Sequence, residues 1–547
     1  MRSLVLMLLL PLLISCPGNE KTIQVLILSG RNNHDWSATT QQIEMIFSGS
    51  DRFSCSVTLQ PDTLTQADLK SFDVVLSNWN SWPENEIRWP EETENALSEF
   101  IHNGGGFVTF HASSSALYEW PEFKKFSTAA WLMNQTRHGK NSATEVNIIN
   151  TNHPVTKGMS GFYIFDELWV NAEENPDFEV LGNATNKELK AEGTSAQPAI
   201  MVSKYGKGRI FHTILGHDER SMRNTGFKEL LLRGTEWAAT GKVTQPMVQE
   251  IKQSEQNAKY HWSETDTTFA LLKGEDIVWQ YNYNTKHGRP FFHPVFVNRN
   301  NMTCISPSDH RWHLGQWFCW KYINKVNYWE YGRGPFQSDG VTEVKNVKIK
   351  KNDDFTAEIE LDIVYHPFGG ENVLAEKRLV RIGPPQQDGK LTMDYDFSFE
   401  ALTDEVELNR TPILGQEGGT SWGGYAGISI RFNQSFMDSE FISSWGENDA
   451  VNGKKGDWLY MGFTGLDGSK VGSQIIIHPD SHTEGEAWYS VNTEEFPFYY
   501  FSPAVLYYKP LILSKGEKLQ LQYRINHFTG EMNRVELENE NQNYLNN

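Results

Sequence analysis

Cysteine is scarce in this chain, with four in 547 residues: Cys16, Cys55, Cys304 and Cys319. With Cys16 set aside in the leader, three remain, and an odd number argues against a disulfide framework. Two readings stand for Cys304 and Cys319: a pair joined outside the cytoplasm, or, since Cys319 sits among Trp317, Phe318 and Trp320, a Cys319 that is simply core. Basic residues are also short, 49 Lys and Arg against 69 Asp and Glu, for a net charge of −20. A surface of that sign repels phosphate backbones and argues against a general nucleic-acid binder. Beyond the N-terminus no apolar run approaches the roughly 18 residues of a membrane-spanning helix. Charged residues at 22% and hydrophobic ones at 39%, with 43 Gly and 22 Pro, exclude collagen, coiled coil and wholesale disorder. The length suggests two to four domains at about 150 residues each. What the chain has in excess is aromatic surface, 13% of residues including 18 Trp. Such rings stack on the apolar faces of sugars and also fill β-sandwich cores, so the excess alone selects neither.

At the N-terminus Arg2 precedes an apolar run from Leu4 to Ile14, the length of a signal-peptide core and too short to span a bilayer. It ends in Leu13-Ile14-Ser15-Cys16, which resembles a bacterial lipobox. The resemblance implies a lipid on Cys16, residues 1–20 as signal and tether, and a place in the cell envelope at the outer membrane or periplasmic face. An ordinary signal peptide with an incidental Cys is the alternative. At the other end, residues 531–547 are polar and Asn/Glu-rich, and their composition predicts a flexible tail.

Between these ends the hydrophobic period changes once. Across residues 21–242, continuous apolar runs (Ile23 to Leu28, Val74 to Leu76, Phe107 to Phe110, Ile210 to Leu215) alternate with amphipathic stretches such as Glu91 to His102. Strands buried on both faces read this way, so this half is predicted to be a doubly wound α/β domain. Ligands in such folds bind beyond the carboxyl ends of the strands. Residues 243–259 are polar and patternless and read as a linker. Over 260–530 the period is two, as in Ala357 to Ile363 and Leu519 to Ile525, with turn signals between runs and no convincing helix. This half is predicted to be a large antiparallel β-sandwich.

The first strand runs into Ser29-Gly30-Arg31-Asn32-Asn33-His34-Asp35-Trp36, and Gly104-Gly105-Gly106 leads a later one into His111-Ala112-Ser113. Asn152-His153-Pro154, Phe165-Asp166-Glu167-Leu168 and Leu215-Gly216-His217-Asp218 follow in order. Together they resemble the ThuA-like (trehalose-utilisation) family, a branch of the class I glutamine-amidotransferase-like fold. In amidotransferases of that fold a Cys occupies the strand-to-helix turn held here by His111, Ala112 and Ser113. The domain's only Cys after the leader, Cys55, is far away in sequence, so glutamine hydrolysis is excluded. What remains at the strand ends is His34, Asp35, His111, Glu167 and His217. Such groups act as acid and base or bind a divalent metal. His111, His217 and Glu167 are the catalytic candidates, with Asn33 and His34 as substrate contacts. The resemblance implies a sugar or oxidised-sugar ligand.

In the second half, Arg289-Pro290-Phe291-Phe292-His293-Pro294 precedes Ser306-Pro307-Ser308-Asp309-His310-Arg311-Trp312-His313-Leu314-Gly315, then Val326-Asn327-Tyr328-Trp329-Glu330. This set resembles the family labelled "methane oxygenase PmoA-like", although oxygenase subunits of that name are membrane proteins and this half has no spanning segment. Arg311 and Trp312 interrupt the family's histidine trio, which puts a complete metal triad in doubt. The half also looks like a galactose-mutarotase-like supersandwich, in which a His acts as general acid and a Glu as base. On that analogy His310 or His313 protonates a sugar oxygen and Glu417 is the base. Arg289, His293 and Asp309 would hold hydroxyls, and Trp312 or Trp422 would lie beneath the ring. The expectation for the whole chain is a carbohydrate-processing lipoprotein acting by acid/base chemistry on a glycoside or keto-sugar, with non-catalytic glycan binding as the alternative. No cofactor is expected, a divalent metal remaining open. The partners expected are a carbohydrate and, through Cys16 only, a membrane.

Overall fold

The computed structural model describes residues 21–253, 258–283, 288–447, 450–481 and 486–546; the leader with Cys16 lies outside the described residues. In the N-terminal half five parallel strands lie in the order Phe53–Thr58, Ile23–Leu28, Val74–Ser77, Gly106–Phe110 and Gly208–Thr213. Antiparallel strands Gln197–Tyr205, Glu179–Asn186, Ser142–Ile148 and Phe162–Asp166 continue the sheet. The first strand is apolar throughout because both its faces are covered. Val25 and Ile27 pack toward helices Trp36–Ser48 and Thr225–Thr240, while Leu26 and Leu28 pack toward helix Glu91–His102. The Asp35 carboxylate caps the first of these helices by accepting from Ala38 N at 3.0 Å, so its role is local. This half is the doubly wound α/β domain, its parallel strands covered by helices on both faces.

The second half is the antiparallel supersandwich. One large sheet begins with Tyr260–Glu264, and the other runs from Gly340–Lys351 through Lys518–Thr529 to Met437–Ser443. Ala357, Ile359, Leu361 and Ile363 all point inward, as strict alternation requires. Between the sheets lies an aromatic core holding Trp279, Trp317, Trp320 and Trp488, where much of the tryptophan excess is spent.

The two halves are locked together. Leu466, in the turn between Trp458–Thr464 and Lys470–Ile477, is buried in the core of the N-terminal half, and its carbonyl accepts from Tyr163 N at 2.7 Å. Arg220 pairs with Glu494, and Thr225 N donates to Ser435 Oγ at 2.9 Å. Of the stretch that composition presented as a linker, residues 243–253 are described, and they form a packed strap. Ile251 is buried, its carbonyl accepts from Ser160 N, and Gln249 brackets the backbone of Ile277.

One expectation needs correction, and one open alternative is decided. The polar end is not a frayed tail, since Arg534–Leu545 is a helix begun by a reciprocal Asn533–Glu536 capping box, with Leu537 packed on Trp458, Tyr460 and Ile476. Cys304 and Cys319 do not pair; both are free, and Cys319 is buried beside Arg289.

Candidate functional site

Four of the residues singled out in the N-terminal half meet at the carboxyl end of the parallel strands. His34, His111, Glu167 and His217 each present one ligand atom, and these atoms lie within 4.8 Å of one another. His111 follows directly on strand Gly106–Phe110 and sits at φ 41°, a left-handed conformation costly to a residue with a β-carbon. Its Nδ1 donates to Ile214 O at 2.9 Å, which fixes the tautomer and leaves Nε2 as a lone pair. That Nε2 lies 3.2 Å from His217 Nδ1 and 3.6 Å from Glu167 Oε1. His34 Nδ1 donates to Asn32 Oδ1 at 3.1 Å, and its ring stands edge-on to His217. Burial, then the His217 charge, brings His34 down to about 4; burial holds His111 well below its ordinary value.

Asp166 supports this cluster from below. Its carboxylate accepts from Gly216 N at 2.7 Å, His217 N at 3.1 Å and Glu167 N at 2.9 Å, pinning both functional turns. Burial pushes its carboxyl up to about 8. Asn33 stands one step away, its Oδ1 accepting from Asn80 Nδ2 at 2.7 Å. His138, which no motif singled out, joins the group with Nδ1 3.0 Å from Glu167 Oε2. Trp169 Nε1 donates to the other Glu167 oxygen at 3.2 Å. The turn that follows strand Gly106–Phe110 therefore presents an imidazole. Cys55 lies in strand Phe53–Thr58, and burial pushes its thiol up to about 12.

The second half has a pocket of its own. His310, Trp312, His313, Glu330, Trp422 and Tyr425 are among the side chains lining a cavity of about 190 Å³. The His310 and His313 rings are 4.8 Å apart, and Trp422, 61% exposed, belongs to the open part of the wall. Burial and then the Arg431 charge keep His313 well below its ordinary value. Glu330 is the carboxylate of this wall: burial opposes its charge, but Lys321 and the Tyr425 hydroxyl at 3.0 Å hold it below the usual range. Glu417 does not line the cavity and is an exposed turn residue.

Three other expected hydroxyl-binding residues lie behind the wall. Arg289 is buried, donating to Cys319 Sγ and Trp312 O at 3.2 Å each. His293 bonds Thr303 Oγ1 at 2.8 Å. Asp309 accepts from Arg431 Nη2 at 2.6 Å; burial works against its charge, but His310 and Arg431 more than offset that and hold it down to about 2. The signal for Glu330 was present in Asn327-Tyr328-Trp329-Glu330, but only the fold brings that loop beside His310 and His313.

Residues 24–238 match the family "Trehalose utilisation" (ThuA) and residues 268–542 match "Family of unknown function (DUF6807)", the latter covering the stretch whose residues suggested the PmoA-like label. No curated protein matches the chain. Among solved structures, a ThuA-like protein from Parabacteroides merdae is 30% identical, covering 42% of this chain and 95% of its own with a TM-score of 0.38. A ThuA-like protein from Bacteroides uniformis is 21% identical over 42% of this chain and 98% of its own, TM-score 0.34. A Klebsiella pneumoniae protein described as an aldose 1-epimerase is 8% identical over 50% of this chain and 82% of its own, TM-score 0.25. The chain is thus a member of the DUF6807 family of unknown function through its β-rich half, joined to a ThuA-like N-terminal half.

Proposed function

We infer that this protein processes carbohydrate, and that the pocket of the β-rich half is where a sugar ring is held. The observation that carries the reading is the convergence of aromatic walls with His310, His313 and Glu330 on one small cavity. A pyranose offers apolar C–H faces and a rim of hydroxyls, which aromatic rings and a carboxylate respectively complement. At about 190 Å³ the cavity falls below the roughly 300–1,000 Å³ of larger ligand sites and suits one ring rather than a chain. Glu330, kept anionic, serves as base, and His310, the more exposed imidazole of its pair, as acid. Such a pair serves glycoside cleavage and isomerisation or elimination on an oxidised sugar. The trehalose-utilisation description of the N-terminal family supports the substrate class. Lipid on Cys16 and a cell-envelope location complete the proposal, and the mass of the mature N-terminus tests them.

The deciding experiment assays the full chain against a panel of glycosides and 3-keto-glycosides. Glu330→Gln and His310→Ala are expected to lower kcat by about 10²–10⁴-fold, the usual contribution of a positioned acid or base. Glu417→Gln is expected to behave as wild type. Turnover unchanged in both pocket variants defeats the reading. Tight calorimetric binding of intact glycans without product replaces it with the glycan-binding alternative.

A further inference from the structure

Outside the sugar pocket, the described residues hold one other convergence of ligating side chains, the histidine cluster of the N-terminal half. We propose that His34, His111, Glu167 and His217 form a binding site for a divalent cation of the zinc class. The argument begins with spacing. Ligand atoms at about 2.0–2.2 Å from a tetrahedral ion sit roughly 3.3–3.6 Å from one another. His111 Nε2 lies 3.2 Å from His217 Nδ1 and 3.6 Å from Glu167 Oε1, and His217 Nδ1 lies 3.7 Å from Glu167 Oε2.

The surroundings have the form that such sites require. A ligating imidazole characteristically donates its second ring N–H to a carbonyl or carboxylate, which sets tautomer and orientation. His111 does so to Ile214 O, and His34 donates in the same manner to the Asn32 side-chain oxygen. The carboxylate is steadied by Trp169 Nε1, and the His217 turn is clamped through Asp166. The strained φ of His111 points the same way, because a conformation of that cost persists where the surroundings impose it. Three imidazoles with one carboxylate suit zinc and its first-row neighbours and are a poor set for calcium or magnesium, which take oxygen.

His138, half exposed, turns its Nδ1 toward Gly139 O at 2.8 Å and the same carboxylate at 3.0 Å, so that nitrogen carries its proton and His138 is the orienting partner of Glu167. His217 keeps 21% of its side chain exposed, so solvent reaches the cluster from that side. A cation held there would supply an activated water. This site is independent of the sugar pocket, and either assignment survives the failure of the other.

The test uses the untagged full chain, stripped with chelator and titrated with Zn²⁺ or with Co²⁺, whose visible spectrum reports tetrahedral nitrogen and oxygen ligation. One equivalent per chain with that spectrum is expected. Removing a ligand in His217→Ala or Glu167→Gln is expected to weaken binding by more than the 10–100-fold typical of an outer-shell partner, and Trp169→Phe to weaken it about tenfold. Glu330→Gln keeps full affinity. Trp169→Phe leaves all four donors in place and decides the matter if the ligand variants misfold. Substoichiometric uptake by folded wild type overturns the proposal, as does full affinity in His217→Ala or Glu167→Gln.

Discussion

Leu466 offers the sharpest test of how the halves are joined. It belongs by sequence to the β-rich half, yet its side chain, 2% exposed, is buried among the apolar residues of the other. Leu466→Ala removes three carbons, worth about 2.4 kcal/mol at roughly 0.8 kcal/mol per buried CH₂. The space left behind raises that toward the 2.7–5 kcal/mol range seen for buried Leu→Ala changes, so a loss of about 3 kcal/mol is expected. For a unit of roughly 200 residues this lowers Tm by about 6–12 °C. Because the plug is shared, the loss is expected at the unfolding of the N-terminal half, read by urea titration or calorimetry. Leu414→Ala, at an exposed leucine of the β-rich half, is the control and is expected to change little. A loss of under about 0.5 kcal/mol, no larger than an ordinary surface substitution, refutes the picture of a shared core.

Further predictions concern charge and backbone. Glu486 is buried, both its oxygens lie within 2.9 Å of the Tyr523 hydroxyl, and burial raises its carboxyl to about 8. The folded state therefore holds a proton that the unfolded chain releases near pH 4.5, so this group's stabilisation is complete below that pH and is lost as pH climbs to about 8. Glu486→Gln is expected to gain on wild type across that window by up to about 1.4 kcal/mol per pH unit, measured by denaturation at several pH values; parallel curves would contradict it. Gly216 has φ +102°, and a Cβ there would meet the Phe227 ring at 2.5 Å. Gly216→Ala is expected to cost at least about 1–3 kcal/mol and to displace the His217 turn, weakening metal uptake in the titration described above.

The fold was largely legible because each half obeys one period. Residues such as Val25 and Leu26 are both apolar since both faces of their strand are covered, and Ile359 and Leu361 alternate with Glu358 and Glu360 since one face of theirs is open. His34, His111, Glu167 and His217 were readable as strand-end residues, for the ends of parallel strands converge. Glu417 misled because a carboxylate among glycines looks exposed for chemistry when it is merely a turn, while Glu330 hid in an aromatic run. His138 sits on a two-residue strand too short to leave a pattern. The C-terminal helix escaped notice because its composition is almost wholly polar, although Asn533 and Glu536 stand at capping-box spacing.

One hairpin turn links the two halves beside the second cleft. Glu494 is gripped by Arg220, three residues from His217, the Arg223 guanidinium lies over Phe496, and Phe498 walls the sugar pocket with the Arg431 guanidinium 3.5 Å from its ring centre. Part of the second cleft is thus braced by the neighbouring domain. The two modules are not beads to be shuffled by recombination: a β-rich half transplanted to a new partner would arrive with the turn beside its cleft stripped of Arg220 and Arg223.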